Sequence, residues 1–452
     1  MQPILLLAVL FVGLAGPPRA RGSGFEIQER SGRGVGSAFA GEGALGEDSA
    51  IVFYNPAGMT LLSGTQALVA GDLISANLDF ENDGSTVNPA FGGAPLTGDE
   101  SDGGGEYAIV PAASLSHQLF ERWWIGFAAN APFGLKTQWD KGWVGRYHAV
   151  ESSLRTINLN PAFAVRVFPW LSFGAGMSAQ YAKAVLTNSI DLGGVCEIFG
   201  GQAGLPPGVC AALGLAPQEV DGFVRVVGDD WSFGWNLGAL LEPRRGTRIG
   251  LAYRSRVAHG LSGDVDFRVP RRAAILQSTG ALRDGAGTAN LTLPDTASLS
   301  AYHELAPRWA VFGDVTWTHW ALFEEIVVKF ANPAQPRAVE PEDWDDTFRV
   351  ALGARFDATE RWSFRAGTAY DVTPVPDDRH RTPRVPDSDR IWASLGVGYR
   401  WNDVLRFDLG YTHLFALAAD TRARDQNTGN VLRGEFTGDA NIVGVQMAIR
   451  LP

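Results

Sequence analysis

The sequence predicts an all-β chain: a transmembrane antiparallel β-barrel of about fourteen strands with an N-terminal hatch, or plug, inside its lumen. Three observations point there. Long segments alternate apolar with polar or small residues, connections between them are alternately short and long, and a Gly-rich opening stretch lacks the alternation.

The alternation is clearest near the C-terminus. Phe348, Val350, Leu352, Ala354 and Phe356 interleave with Arg349, Ala351, Gly353, Arg355 and Asp357. Trp362, Phe364, Ala366 and Tyr370 do the same with Ser363, Arg365, Gly367 and Asp371, and the stretches 391–401 and 405–415 repeat the scheme. A period of two puts successive side chains on opposite faces of a strand. About ten residues suffice to cross an outer membrane at a tilt, and a polar lumen tolerates Arg and Asp on the inner face. A barrel must close, because an open sheet edge cannot be satisfied in lipid.

Short turns are expected near Pro169-Trp170, Glu242–Gly246, Leu305–Pro307, Ala358–Glu360 and Asn402-Asp403. Long Gly/Pro/Asp-rich loops are expected near 82–105, 139–152, 191–223, 268–288, 331–344, 375–387 and 419–437. Short turns at one rim opposite long loops at the other is the outer-membrane pattern. Composition agrees: with 54 Gly, 14 Trp and 25 Phe there is material for aromatic girdles, and no interior run reaches the roughly 18 apolar residues of a membrane helix.

Residues 1–22 read as a secretory signal. Ile4–Ala15 is too short an apolar run to span a bilayer, and Ala20-Arg21-Gly22 offers a small-x-small cleavage site. No Cys lies near it, so no lipoprotein anchor is expected. Residues 23–64 form the expected hatch, crowded with glycines between Gly24 and Gly46 but carrying Phe25, Ile27, Val35, Phe39 and the run 51–54 for packing. Residues 65–452 form the expected barrel. The only cysteines, Cys196 and Cys210, share one Gly/Pro-rich segment, and in an oxidising compartment a disulfide between them is expected, worth ~3 kcal/mol for a loop of this length.

At this point the residues resemble a known family. The opening Ser23-Gly24-Phe25, the run GVGSAFAGEGALG (34–46) and Asn55-Pro56-Ala57 are similar to the hatch of the outer-membrane long-chain fatty acid transporters, a family that includes uptake channels for aromatic hydrocarbons. The likeness continues in order through APFGL (131–135), GDDWSFGWNLG (228–238), YRS (253–255), LPDTAS (293–298), AYDVTPVPD (369–377), RTPRVPDSDRIW (381–392) and GYTHLF (410–415).

The resemblance implies a plugged fourteen-stranded barrel that passes hydrophobic molecules, most of all long-chain fatty acids, with uncharged aromatic or aliphatic hydrocarbons as the alternative cargo. It implies release sideways through the wall. The expected opening is at Pro132, Phe133 and Gly134, which interrupt the third strand: proline cannot donate to a ladder, and glycine in a strand often marks a bulge. Phe25, Asn55, Pro56 and Ala57 are the expected hatch and gating residues. Asn-Pro is also a turn starter, which suits the end of the hatch. Solute capture is expected at apolar loop residues near the cysteines: Leu192, Ile198, Phe199, Leu205, Val209, Leu213 and Leu215.

One departure concerns the carboxylate. The basic pair that the resemblance implies falls on Asn188 and Glu340 here, and Lys183, Lys329 and Arg337 are the nearby cations. No cofactor, metal or energy-coupling motif is expected, and the net charge of −11 argues against nucleic acid. The expected surroundings are outer-membrane lipid and lipopolysaccharide around a monomer. A lipid-acting barrel enzyme is the reading from another class, but no G-x-S-x-G occurs, and His303, His319 and His413 sit in strands without an obvious nucleophile.

Overall fold

In a computed structural model of the chain, residues 24–99, 103–202, 206 and 208–451 are described. The signal-peptide expectation for 1–22 lies outside them, as do Ser23 and Leu205.

Fourteen antiparallel strands close into a barrel. They are β1 (Thr65–Asn82), β2 (Tyr107–Phe120), β3 (Trp123–Asn130 and Gly134–Gln138), β4 (Glu151–Phe168), β5 (Leu171–Asp191), β6 (Asp221–Arg244) and β7 (Thr247–Arg254 and Val257–Arg268). There follow β8 (Gly285–Leu293 and Thr296–Ala306), β9 (Trp309–Thr318 and Glu325–Phe330), β10 (Ala338–Pro341 and Thr347–Asp357), β11 (Trp362–Asp371), β12 (Arg390–Arg400), β13 (Leu405–Ala416 and Ala419–Arg424) and β14 (Val431–Leu451). Closure is the pairing of β1 with β14, in which Thr65 faces Leu451 and Asn82 faces Gly434. The β1–β14 seam is thereby sealed along its length, as a sheet in lipid requires.

The predicted two-face pattern is what the strands display. On β10, Phe348, Val350 and Leu352 are exposed on the outside while Arg349 and Ala351 are buried. Phe120, Trp123, Phe168, Trp170, Trp309, Trp362 and Trp401 are exposed beside the short turns, where amphipathic rings suit a membrane interface.

Two expected loops differ. Residues 419–437 are largely strand: Ala419–Arg424 pairs with Val431–Phe436, leaving a short turn at 425–430. Ala419, Thr421 and Ala423 are buried there while Asp420, Arg422 and Arg424 are exposed, so the outer face is polar and lacks the apolar signature of a lipid-facing strand. The segment 375–387 is not an outer loop in water. Arg381, Thr382, Arg384, Val385 and Asp387 are buried, held by hydrogen bonds from Thr137 to the Arg384 carbonyl and from the Trp139 indole to the Pro383 carbonyl.

The segment 24–62 fills the lumen with three short helices, α1 (Gly32–Val35), α2 (Glu42–Leu45) and α3 (Ile51–Tyr54), and a 3-10 turn, Pro56–Leu61. It touches wall strands all round the barrel, α1 against β12, β13 and β14, α2 against β7, β8 and β9, and the 3-10 turn against β3 to β6. Small inward residues make room: a Cβ on Gly238 would lie 2.0 Å from the Asn55 side chain, and one on Gly250 would lie 2.1 Å from the Gly43 carbonyl oxygen.

Candidate functional site

Two features of the wall and lumen form the site: a break in β3 and an apolar pocket above it. The break follows from Ala131-Pro132-Phe133. Pro132 has no N–H to give, and the ladder stops at Asn130 and resumes at Gly134. Below the break β3 pairs with β2, from Ala113 facing Ala129 to Phe120 facing Trp123. Above it, Gly134–Gln138 pairs only with β4, and among the described residues 107–112 of β2 have no partner in β3. The wall is therefore unzipped over this stretch. Its upper limit is the Lys136–Glu106 ion pair at 3.1 Å and the Gln138 N–H bonded to the Gly104 carbonyl.

From inside, the start of the hatch segment occupies the break. Ile27 donates its N–H to the Pro132 carbonyl at 2.9 Å, and Gly134 donates to the Phe25 carbonyl at 3.0 Å. The Phe133 N–H and carbonyl both bond to the Thr156 hydroxyl of β4. Phe25 is buried in an aromatic cluster, its ring centroid 4.7 Å from Trp320, 5.6 Å from both Phe323 and Trp344, and 6.3 Å from Phe133. Gly24 ties the segment to the wall by donating its N–H to Asp387 at 3.0 Å. It adopts φ +60, and a Cβ there would strike Trp344 at 2.7 Å.

Phe25 is also the floor of an apolar pocket. Its walls are largely apolar, including Leu135, Leu154, Leu186, Leu261, Leu291 and Val328, with Ser152, Ser153, Thr288, Asn290 and Arg384 also at its lining. Arg384 comes from the inward-folded segment before β12. Its Nε donates to Glu340 at 2.5 Å, one Nη to Asn188 at 3.3 Å and the other to Ser152 at 3.4 Å. The two positions that sequence reasoning found non-basic thus hold a cation supplied from elsewhere. Lys183, Lys329 and Arg337 are exposed on the outside and do not line the pocket. The sequence signal for Arg384 was its place in RTPRVPDSDRIW, which read as a loop.

Asn55 is fully buried and joins three parts of the structure. Its Oδ1 accepts from the Ala57 N–H at 3.1 Å, and its Nδ2 donates to the Gly43 carbonyl at 2.8 Å and to the Ala239 carbonyl of β6 at 3.0 Å. Pro56 starts the 3-10 turn, and Ala57 is buried against β5, where a Cβ on Gly174 would lie 2.4 Å from the Ala57 nitrogen.

A buried ion network holds the other side of the hatch. Arg33 pairs with Glu42 at 2.6 Å and Asp48 at 2.8 Å. Glu47 pairs with Arg355 and, at 2.9 Å, with Arg365, which also reaches Asp408 at 3.0 Å. Burial alone would raise the Glu47 carboxyl; Arg355, then Arg365, Arg33 and Arg406 outweigh it and hold the group well below its usual range.

Cys196 and Cys210 are joined in a disulfide. Around it, Leu192 and Leu215 are fully buried within the loop core, Ile198 and Phe199 are half-buried, and Leu213 is exposed. Leu192 and Leu215 therefore present no surface to a solute. Of the three histidines expected in strands, His319 lies between the two parts of β9 and bonds to Asp295, while His303 bonds to the Thr247 hydroxyl and His413 to Asn441.

Comparison with known proteins matches this architecture. Among solved structures, the chain superposes on a Pseudomonas aeruginosa FadL homologue with a TM-score of 0.84 at 25% identity, over 94% of this chain and 99% of that one. The Ralstonia pickettii toluene transporter TbuX shares the fold, with a TM-score of 0.64 at 18% identity over 94% of this chain and 99% of that one. A long-chain fatty acid transport protein of Escherichia coli O6:H1 is 31% identical over 407 residues, 88% of this chain and 87% of the relative. The 47 kDa outer membrane protein of Pasteurella multocida is 31% identical over 414 residues, 90% of each chain. The family profile described as outer membrane protein transport protein (OMPP1/FadL/TodX) matches residues 14–451, and the chain belongs to that family of outer-membrane transporters of hydrophobic substrates.

Proposed function

We propose that this barrel carries long-chain fatty acids inward across the outer membrane by diffusion and releases them sideways through the break in β3. The observation that carries this reading is the apolar pocket lined by both Phe25 and Arg384. An acyl chain gains roughly 0.8 kcal/mol for each CH₂ removed from water, so even partial enclosure binds it well. Arg384 supplies the charge-assisted hydrogen bond that a carboxylate requires. Exposed apolar groups of the outer loops, such as Leu213, receive the solute from the outer face. Withdrawal of Phe25 then connects the pocket to the unzipped stretch between β2 and β3. The fatty acid transport protein among the relatives supports the same cargo.

A second reading, uptake of uncharged hydrocarbons, is favoured by one contact: Arg384 already faces Glu340, so the pocket carries little net charge. Uptake of radiolabelled oleate, and separately of toluene, by cells lacking their own transporter decides between the two. Oleate uptake that falls about tenfold in Arg384→Gln, the loss of one charge-assisted hydrogen bond, supports the fatty acid reading. Toluene uptake without oleate uptake supports the second, and entry of neither solute through a folded surface barrel removes both.

A further inference from the structure

A second cavity lies on the other side of the Phe25–Phe133 contact, beside Pro132 and Phe133. Four of the sequence segments singled out above meet at it: APFGL through Pro132 and Phe133, GDDWSFGWNLG through Asn236, YRS through Arg254, and LPDTAS through Pro294, Thr296 and Ser298. The pocket above Phe25 uses the first of them and reaches the second only at Gly228. The convergence of these segments on one cavity therefore needs its own account.

The cavity is electrostatically unbalanced. Arg30 from the hatch and Arg254 from β7 both stack on the Phe53 ring, at 4.3 and 3.6 Å from its centroid. Among the described residues, neither guanidinium lies within ion-pair distance of a carboxylate. Arg254 donates to the Phe53 carbonyl, the Ser178 hydroxyl and Asn160, while among the described residues Arg30 donates to Gln28 alone, at 3.4 and 3.5 Å. Arg30 is 4% exposed and its Nε has no acceptor; nor has the Nδ2 of buried Asn236. A buried and a half-buried cation held close together, with two unanswered donors, are costly unless an acceptor arrives. The carboxylate among the cavity's described lining residues, Glu26, accepts from the Thr318 hydroxyl at 3.2 Å. Burial pushes the Glu26 carboxyl up, with Arg30 the main group opposing that shift.

We infer that this cavity is a second binding site, a transfer site that takes the carboxylate headgroup of a fatty acid between Arg30, Arg254 and Asn236 after it leaves Arg384. The inference rests on the fatty acid reading above and adds a stage to it. A carboxylate drawn past Phe25 would otherwise enter the wall region stripped of partners. Here it meets donors at the level of the break, while its apolar chain lies at the opening between β2 and β3. The cavity makes the route selective for an anionic headgroup at the exit as well as at the entrance.

The test uses the purified full-length barrel in uncharged detergent, with radiolabelled dodecanoate as probe and dodecanol as the uncharged control, in equilibrium dialysis. The expected result is two equivalents of dodecanoate. Arg384→Gln weakens one about tenfold, and Arg30→Gln weakens the other by a similar factor without changing dodecanol binding. Arg254→Gln, on the wall and not on the hatch, should weaken the same equivalent as Arg30→Gln, which guards against misfolding of either variant. A single equivalent lost in Arg384→Gln but not in Arg30→Gln, or a second one indifferent to both Arg30→Gln and Arg254→Gln, overturns the inference and leaves the pocket above Phe25 untouched. A single equivalent lost in Arg30→Gln but not in Arg384→Gln keeps the cavity as a carboxylate site and removes the pocket reading.

Discussion

Ile27 of the hatch donates its backbone N–H to the carbonyl of Pro132 in the wall at 2.9 Å. With the Gly134–Phe25 bond beside it, this is a two-bond ladder across the place where β3 has none of its own. The residue that interrupts the strand therefore also offers the acceptor that seats the plug. The Phe25 ring backs these bonds from the aromatic cluster. Phe25→Ala should cost the seated segment roughly 3–5 kcal/mol, the usual loss for a buried phenylalanine. Hydrogen exchange at the amides of Ile27 and Gly134 should then accelerate while the β1–β14 ladder stays protected. Unchanged exchange at Ile27 would mean that Phe25 does not hold the segment in place.

Asn55 is a separate anchor. Replacing it with Leu removes the hydrogen bonds to the Gly43 and Ala239 carbonyls, at roughly 0.5–1.5 kcal/mol each. The expected outcome is a barrel that still folds and inserts but whose α2 and α3 lose exchange protection. Asn55→Asp should fail similarly, because an ionised carboxylate offers no donor to either carbonyl.

Acid should loosen the plug through Glu47. Its carboxyl is held well below the usual 4.5 by the arginines, so between its seated and free values the free state binds more protons than the seated one. The stabilisation is therefore complete above about pH 4.5 and is lost as pH falls through the depressed value. Single-channel conductance in planar bilayers should stay low at neutral pH and rise below pH ~4. Glu47→Gln should be leaky at neutral pH and show a weaker acid response; an identical acid transition in that variant would assign the effect to another group.

Legibility in the sequence followed the range of the physics. Strand alternation is local, so Phe348 and Arg349 announced their faces without any partner. The break at Pro132 was equally local, since it follows from a missing N–H. Arg384 was not legible: a polar, proline-containing segment reads as an outer loop, and only contacts with Thr137, Trp139, Asn188 and Glu340 turn it inward. The upper part of β13 was missed for a different reason. Asp420, Arg422 and Arg424 point outward, so the apolar face that marks a lipid-bounded strand is absent.

The most direct measurement of the account is oleate uptake by cells expressing the double variant Pro132→Val, Gly134→Val, with folding and surface display checked alongside. Restoring a donor and β-forming residues at these two positions should zip β3 to β2 and abolish uptake, while dodecanoate still binds the purified barrel through Arg384. Uptake at the wild-type rate through a zipped wall would contradict lateral release and send the solute through the lumen instead.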